Sequence, residues 1–192
     1  MAADRSCLAV PGRMLGPHVP TLYYCCEAAE ARGARVEVLH WPGHPAPVPL
    51  GADTPVLVES VVESALDDRL ADSSPVLFAK SLGTLSAPVA ARRNLPAVWL
   101  TPVLTDVAGL DPQVFAEGVA ASTAPCLIIG GTADRLWDGE AARRLSPHVV
   151  EIPDADHGLH LPGPLSATLA VMAEVITAVE RFLDGHVWPG RG

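Results

Sequence analysis

The chain has 192 residues, enough for one core-forming domain and too few for two of ordinary size. Its 13 basic and 22 acidic residues leave a net charge of −9, which argues against nucleic acid or an anionic membrane surface as partner. At 49% hydrophobic residues the chain is not disordered, and no apolar run approaches the roughly 18–20 residues that span a bilayer. The opening Met-Ala-Ala-Asp-Arg-Ser lacks a basic stretch leading into an apolar core, so no secretory signal is read and a cytoplasmic location is expected. Cys7, Cys25, Cys26 and Cys126 follow no metal-ligand spacing and read as reduced, buried thiols.

Short apolar runs alternate with helical stretches along the chain. The first strand is expected at Cys7–Val10, followed by a helix over Pro20–Arg32, with Gly33 as its stop. A strand over Arg35–His40 leads into the Pro-rich loop Trp41–Leu50 and a helix over Asp53–Ala71. Next come a strand at Pro75–Ala79, a helix over Leu82–Arg93, a strand at Ala97–Thr101 and a helix over Asp111–Ala121. The last strands are expected at Cys126–Gly130 and Val149–Ile152, around a helix at Gly139–Leu145. A final helix over Pro164–Asp184 places Leu165, Leu169, Met172, Ile176, Val179 and Leu183 on one stripe that reads as buried. Strict β–α alternation predicts an α/β fold: one open, parallel, six-stranded sheet with helices on both faces. We expect a single domain over residues 1–192, with 185–192 as a loose tail.

In such sheets ligands bind beyond the strand C-termini, near the point where strand order reverses. After the third strand stands Ala79-Lys80-Ser81-Leu82-Gly83, a small-x-Ser-x-Gly sequence between strand and helix. A serine exposed on so sharp a turn needs small neighbours two residues away on either side. Taken alone, Ser81 could equally be a helix N-cap. After the fifth strand comes Gly131-Thr132-Ala133-Asp134, and after the sixth Ala155-Asp156-His157-Gly158. A serine hydroxyl is a poor nucleophile until an imidazole accepts its proton and a carboxylate orients that imidazole. Serine, acid and histidine in this order, each after a strand, make Ser81, Asp134 and His157 a candidate triad. Asp106, after the fourth strand, is the alternative acid.

These segments resemble the α/β-hydrolase family from Cys7 to about Leu183. Ala79–Gly83 is similar to its nucleophile elbow, Gly131–Asp134 to its acid loop and Ala155–Gly158 to its histidine loop. The resemblance is to compact bacterial members, dienelactone-hydrolase-like in size; those use cysteine where this chain has Ser81, so their substrate does not carry over. It implies a minimal, capless version of the fold, with the second and first strands preceding the third to sixth in space and no counterpart of the family's first two strands. It also implies that the main-chain N–H groups of Arg13, in the loop Val10–Gly16, and of Leu82 form the oxyanion hole. The expected function is hydrolysis of a carboxylic ester or related acyl bond through an acyl-enzyme, acting on a small-molecule substrate. The competing reading is a non-enzymatic binding scaffold of the same fold. No cofactor is implied.

Met14, Trp41 and Trp137 are the candidate pocket walls. Only residues 102–111 separate the fourth strand from its helix, too few for a large cap, so an open site favouring short or medium acyl chains is expected. His40, His44, His157 and His160 lack accompanying ligands at motif spacing, and no metal site is read. Lys80 is the only lysine beside twelve arginines. It reads as an exposed elbow side chain or the partner of a carboxylate, or else as a position where a guanidinium does not fit. The sequence leaves monomer and homodimer open.

Overall fold

A computed structural model describes residues 5–14, 16–106 and 109–190. Its strands are β1 (Ser6–Val10), β2 (Arg35–Val38), β3 (Val76–Lys80), β4 (Ala97–Leu100), β5 (Cys126–Gly131) and β6 (His148–Ile152). Its α-helices are α1 (Pro20–Glu30), α2 (Thr54–Arg69), α3 (Ala87–Arg93), α4 (Pro112–Ala121), α5 (Gly139–Leu145) and α6 (Leu165–Phe182). The strands form one sheet in the order β2-β1-β3-β4-β5-β6. Every pairing is parallel. The open α/β sheet expected from the sequence is therefore present, and its order reverses between β1 and β3.

Alternate residues of the central strands feed two cores. Leu8, Val10, Leu77, Ala79, Trp99 and Ile128 pack on the side of α2, α3 and α4, against Val58, Val89 and Phe115. Cys7, Ala9, Phe78, Val98 and Ile129 pack on the other side with Leu22 and Cys25 of α1 and Val171, Val175 and Val179 of α6. β1 and β3 are buried along their whole length, as double coverage requires, whereas edge strand β2 is open to solvent at Arg35. Cys7, Cys25 and Cys26 are buried, Cys126 is half-buried, and all four are free thiols.

Three expectations need correction. The segment after Ser81 is not α-helical from Leu82: a 3₁₀ stretch (Ser81–Ser86) precedes α3. Pro88 has no N–H to donate to the carbonyl four residues back, and its ring crowds that carbonyl, so a proline is tolerated only in the first α-helical turn. Thr84 and Ser86 hydroxyls instead donate to the carbonyls of Ser81 and Gly83 at 2.6 and 2.7 Å. In α6 the stripe is displaced: Leu165 and Leu169 are 71% and 60% exposed, while Thr168, Val171, Met172, Val175, Val179 and Phe182 are buried. In the first turn it is Thr168, whose Oγ1 accepts from the Leu161 N–H at 3.1 Å, that faces inward in place of the leucines, a partner that spacing alone does not show. Finally, the expected loose tail is structured near its start. A π-helical turn (Leu183–Val187) follows α6, Asp184 pairs with Arg32, and Arg5 lies over the Trp188 ring at 5.6 Å.

Candidate active site

The elbow is built by small residues under backbone strain. Ser81 has φ +52°, a left-handed conformation uncommon for a residue with a side chain, held at the turn between β3 and the 3₁₀ stretch. A Cβ on Gly83 would lie 2.5 Å from the Val10 carbonyl oxygen and 2.9 Å from that of Pro11, so only glycine lets the turn pack on the β1 loop. Gly12 sits on the other side of Ser81, where an added Cβ would be 3.4 Å from Ser81 Cβ and 3.9 Å from Oγ. The switch point between β1 and β3 thus brings the loop after β1 directly against the serine.

Two further loops complete the group. His157 Nε2 is 2.8 Å from Ser81 Oγ, and its Nδ1 is 2.7 Å from Asp134 Oδ2. Asp134 is buried and its Oδ1 accepts from the Leu136 N–H at 2.9 Å. The acid and histidine loops interlock, because an added Cβ on Gly131 would stand 2.2 Å from the Ala155 carbonyl oxygen. The main-chain N–H of Ala133 also donates to that oxygen at 3.0 Å. Asp156 stays outside this chain of bonds: burial raises its carboxyl, but the His160 and Gly158 N–H groups that donate to Oδ1, together with the neighbouring His160 and His157 rings, hold it below its usual value. Asp106 is exposed and forms no hydrogen bond with His157 among the described residues.

Beside Ser81 and His157 lies a cavity of about 370 Å³. Its walls are chiefly Met14, Val19, Leu50, Leu82, Leu110 and Leu136, with Gly12, Arg13 and Lys80 also facing it. Met14 lines the cavity and is 59% exposed at its rim. The two tryptophans do not line it. Trp41 is buried behind the β1 loop and donates its ring N–H to the Gly12 carbonyl at 3.0 Å, bracing that loop from beneath. Trp137 packs on Gly130 and donates to Glu151 Oε2 at 2.7 Å. A buried indole N–H usually finds an acceptor, and these two rings turn toward Gly12 and Glu151 rather than toward the cavity. Leu110 and Leu136 were not singled out from the sequence, although Leu136 follows the acid by two residues and its position was readable from that.

Lys80 also departs from expectation. It is 7% exposed, and Nζ donates to Thr101 Oγ1 at 2.8 Å and to the main-chain carbonyl of His157 at 2.9 Å. Burial pulls the lysine down to about 8, against the opposing pull of Asp134 and Asp156. Among the described residues no group of three His, Cys, Asp or Glu side chains is placed to hold a metal ion, and no helix is long and apolar enough to cross a membrane.

No protein-family model matches the sequence, and no curated protein matches it. Solved structures do match. An α/β serine hydrolase without a lid from Xanthomonas campestris aligns over 100% of this chain and 86% of its own, at 15% identity and a TM-score of 0.65. An esterase of Pyrococcus furiosus aligns over 98% and 83%, at 16% identity and a TM-score of 0.66. A monoacylglycerol lipase of Paleococcus ferrophilus aligns over 92% and 96%, at 18% identity and a TM-score of 0.63. With six parallel strands in the order described and no helix among the described residues between β4 and α4, the chain has the α/β-hydrolase fold in a form without a cap.

Proposed function

We propose that the protein is a serine hydrolase that cleaves a carboxylic ester or related acyl bond through an acyl-enzyme. The observation that carries this reading is the continuous hydrogen-bonded chain Ser81–His157–Asp134 at the wall of an apolar cavity. The esterase and lipase among the structural neighbours agree with it. With its proton on Nδ1, donated to Asp134, the His157 ring accepts the Ser81 hydroxyl proton at Nε2 as Oγ attacks the acyl carbon. The carbonyl oxygen becomes an oxyanion, for which the main-chain N–H groups of Leu82 and Arg13 are the proposed donors; losing one such donor typically costs roughly 2.7–4 kcal/mol of transition-state stabilisation. Collapse breaks the bond to the leaving alcohol, which takes its proton from His157. Water, deprotonated by the same ring, then hydrolyses the acyl-serine and restores the hydroxyl.

The Arg13 side chain supports the oxyanion assignment. Its Nε donates to the Val48 carbonyl at 2.7 Å, which ties the β1 loop to the Pro-rich loop and fixes its course past Ser81. The test is labelling by a fluorophosphonate together with hydrolysis of p-nitrophenyl esters. The wild-type chain should be labelled and active, and Ser81→Ala should lose both while unfolding at nearly the wild-type temperature. An unlabelled, inactive wild type with a folded core would favour the binding-scaffold reading instead.

A further inference from the structure

The proposed chemistry leaves a buried cation beside Ser81 unused. Lys80 ends β3, immediately before the nucleophile, and reaches two acceptors on two other segments: Thr101 just beyond β4 and the His157 carbonyl in the loop after β6. It pairs with no carboxylate within salt-bridge distance among the described residues. Thr101 is wholly buried and has φ +45°, a conformation strongly disfavoured for a β-branched side chain. Its main-chain N–H is engaged by the Ile129 carbonyl at 2.7 Å, and its hydroxyl accepts from Lys80. The strained threonine is therefore fixed from both sides as an anchor for the lysine.

The histidine loop needs such an anchor. Most of its other bonds are internal, such as Leu159 N–H to the Asp156 carbonyl at 2.9 Å and Asp156 N–H to the His160 carbonyl at 3.0 Å. Bonds to Ala133 and Thr132 tie it to the acid loop and the Leu161 N–H reaches Thr168 Oγ1 of α6, but among the described residues only Lys80 ties the main chain of His157 itself to β3. A lysine suits this place better than an arginine, since a compact ammonium can meet two acceptors that do not lie in one plane.

We propose that Lys80 is a positioning residue: by holding the His157 carbonyl, with Thr101 as its anchor, it sets the distance between the imidazole and the Ser81 hydroxyl. This rests on the serine-hydrolase reading above. A charged donor bonds a carbonyl roughly twice as strongly as a neutral one. The groups that face Lys80 are Asp134 from the acid loop, Asp156 and His157 from the histidine loop, and the uncharged Thr101 just beyond β4. Both carboxylates favour the ammonium, yet burial leaves the lysine at about 8, so the tether weakens in the mildly alkaline range.

The experiment measures fluorophosphonate labelling rate and p-nitrophenyl acetate hydrolysis between about pH 6 and 10, beside the unfolding temperature at each pH, for wild type, Lys80→Met and Thr101→Val. Wild-type activity should fall severalfold above about pH 8 with no fall in unfolding temperature between pH 7.5 and 9. Lys80→Met should lower kcat by about tenfold to a hundredfold with KM little changed, and should lack the alkaline fall. Thr101→Val keeps the lysine but removes an acceptor for its charged form, so its alkaline fall should move to lower pH; this variant carries the test where Lys80→Met does not fold. A labelled wild type whose rate and pH profile Lys80→Met or Thr101→Val leaves unchanged overturns the positioning role alone. A wild type that is never labelled overturns the hydrolase reading and this role with it.

Discussion

The three loops that meet at His157 and the walls of the cavity beside them are assembled on different terms. Around the histidine, contacts are short, polar and made by backbone: Gly83 against Val10 and Pro11, Gly131 against Ala155, Asp134 against Leu136 N–H, Lys80 against the His157 carbonyl. The cavity walls are apolar side chains, two of them (Leu82 and Leu136) from those same loops and the others from separate segments, with Met14 exposed at the rim. The first region tolerates almost no added atom. The second can change shape without disturbing the fold. Reaction type should therefore be fixed by the first, and substrate choice by the second.

The largest effects should come from breaking the first region at its bonds. His157→Ala should cost nearly as much as Ser81→Ala, because residues acting as one unit do not lose activity additively. Asp134→Asn should lower kcat by about 10⁴ with little change in KM, since it presents the wrong partner to Nδ1. Asp106→Asn should leave both constants within about twofold, as expected for an exposed side chain away from the bonded group. Steady-state kinetics on the three variants checks this, and an Asp106 effect exceeding that of Asp134 would undo the acid assignment.

A second pair of substitutions separates packing from chemistry within the same region. Gly83→Ala should destabilise the fold by about 3 kcal/mol, because its Cβ would collide with two main-chain oxygens that cannot swing away. Gly12→Ala meets only ordinary contacts, so the protein should fold within about 1 kcal/mol of wild type. Its methyl group would nonetheless crowd Ser81 and the adjoining space, and kcat should fall. Denaturant unfolding and kinetics on the same samples give both readings. A stable Gly83→Ala protein would mean that the elbow does not press on the β1 loop.

This contrast also explains what could be read from the sequence. Gly83, Ser81, Asp134 and His157 stand at fixed distances from strand ends, so a strand-by-strand reading brings them to one edge of the sheet. The fold was legible for the same reason: each central strand is a continuous apolar run such as Val76–Ala79. Apart from Met14 and Leu136 the walls were not legible, because Trp41 and Trp137 lie near strand ends but turn to acceptors that sequence does not display, Gly12 O and Glu151. Leu110 reaches the cavity from a loop whose course no periodicity encodes. Lys80 was visible as the lone lysine, yet its burial depends on the carbonyl of a residue 77 positions away.

A smaller effect concerns the energetic cost of that lysine. Its folded value of about 8 lies below the ordinary 10.5, so below pH 8 the folded chain carries the full cost of a buried ammonium. As pH rises from 8 toward 10.5 the folded chain gives up its proton first, and stability is gained. Cys7, Cys25 and Cys126 act the other way. The Cys26 thiol, through its bond to Cys7, and burial at all three sites raise them above 9.0, so the unfolded chain loses these protons first and stability falls beyond pH 9. The gain is thus confined to about pH 8–9. Between pH 7 and 9 wild type should gain about 1 kcal/mol relative to Lys80→Met, measured by denaturant unfolding. A stability difference independent of pH would show that burial does not lower Lys80 and that its ammonium stays charged in the folded chain throughout this range.

The smallest effects belong to the walls. A cavity of about 370 Å³ stands near the lower end of the roughly 300–1,000 Å³ usual for small-molecule sites. Each methylene that finds a wall gains about 0.8 kcal/mol, and each that passes the rim gains nothing. Catalytic efficiency on p-nitrophenyl esters should therefore rise from acetate and then fall beyond about six to eight acyl carbons. Met14 tests the outer boundary without touching the fold: it is 59% exposed, so Met14→Ala should change stability by less than about 0.5 kcal/mol. Losing that rim should move the optimum to shorter chains through KM, with kcat on acetate unchanged, because acetate never reaches the rim. Leu136→Ala removes a wall only two residues from Asp134 and should lower efficiency for every chain long enough to touch it. A monomeric wild type whose efficiency still rises at about twelve carbons would show that the bound chain is covered by something other than these walls.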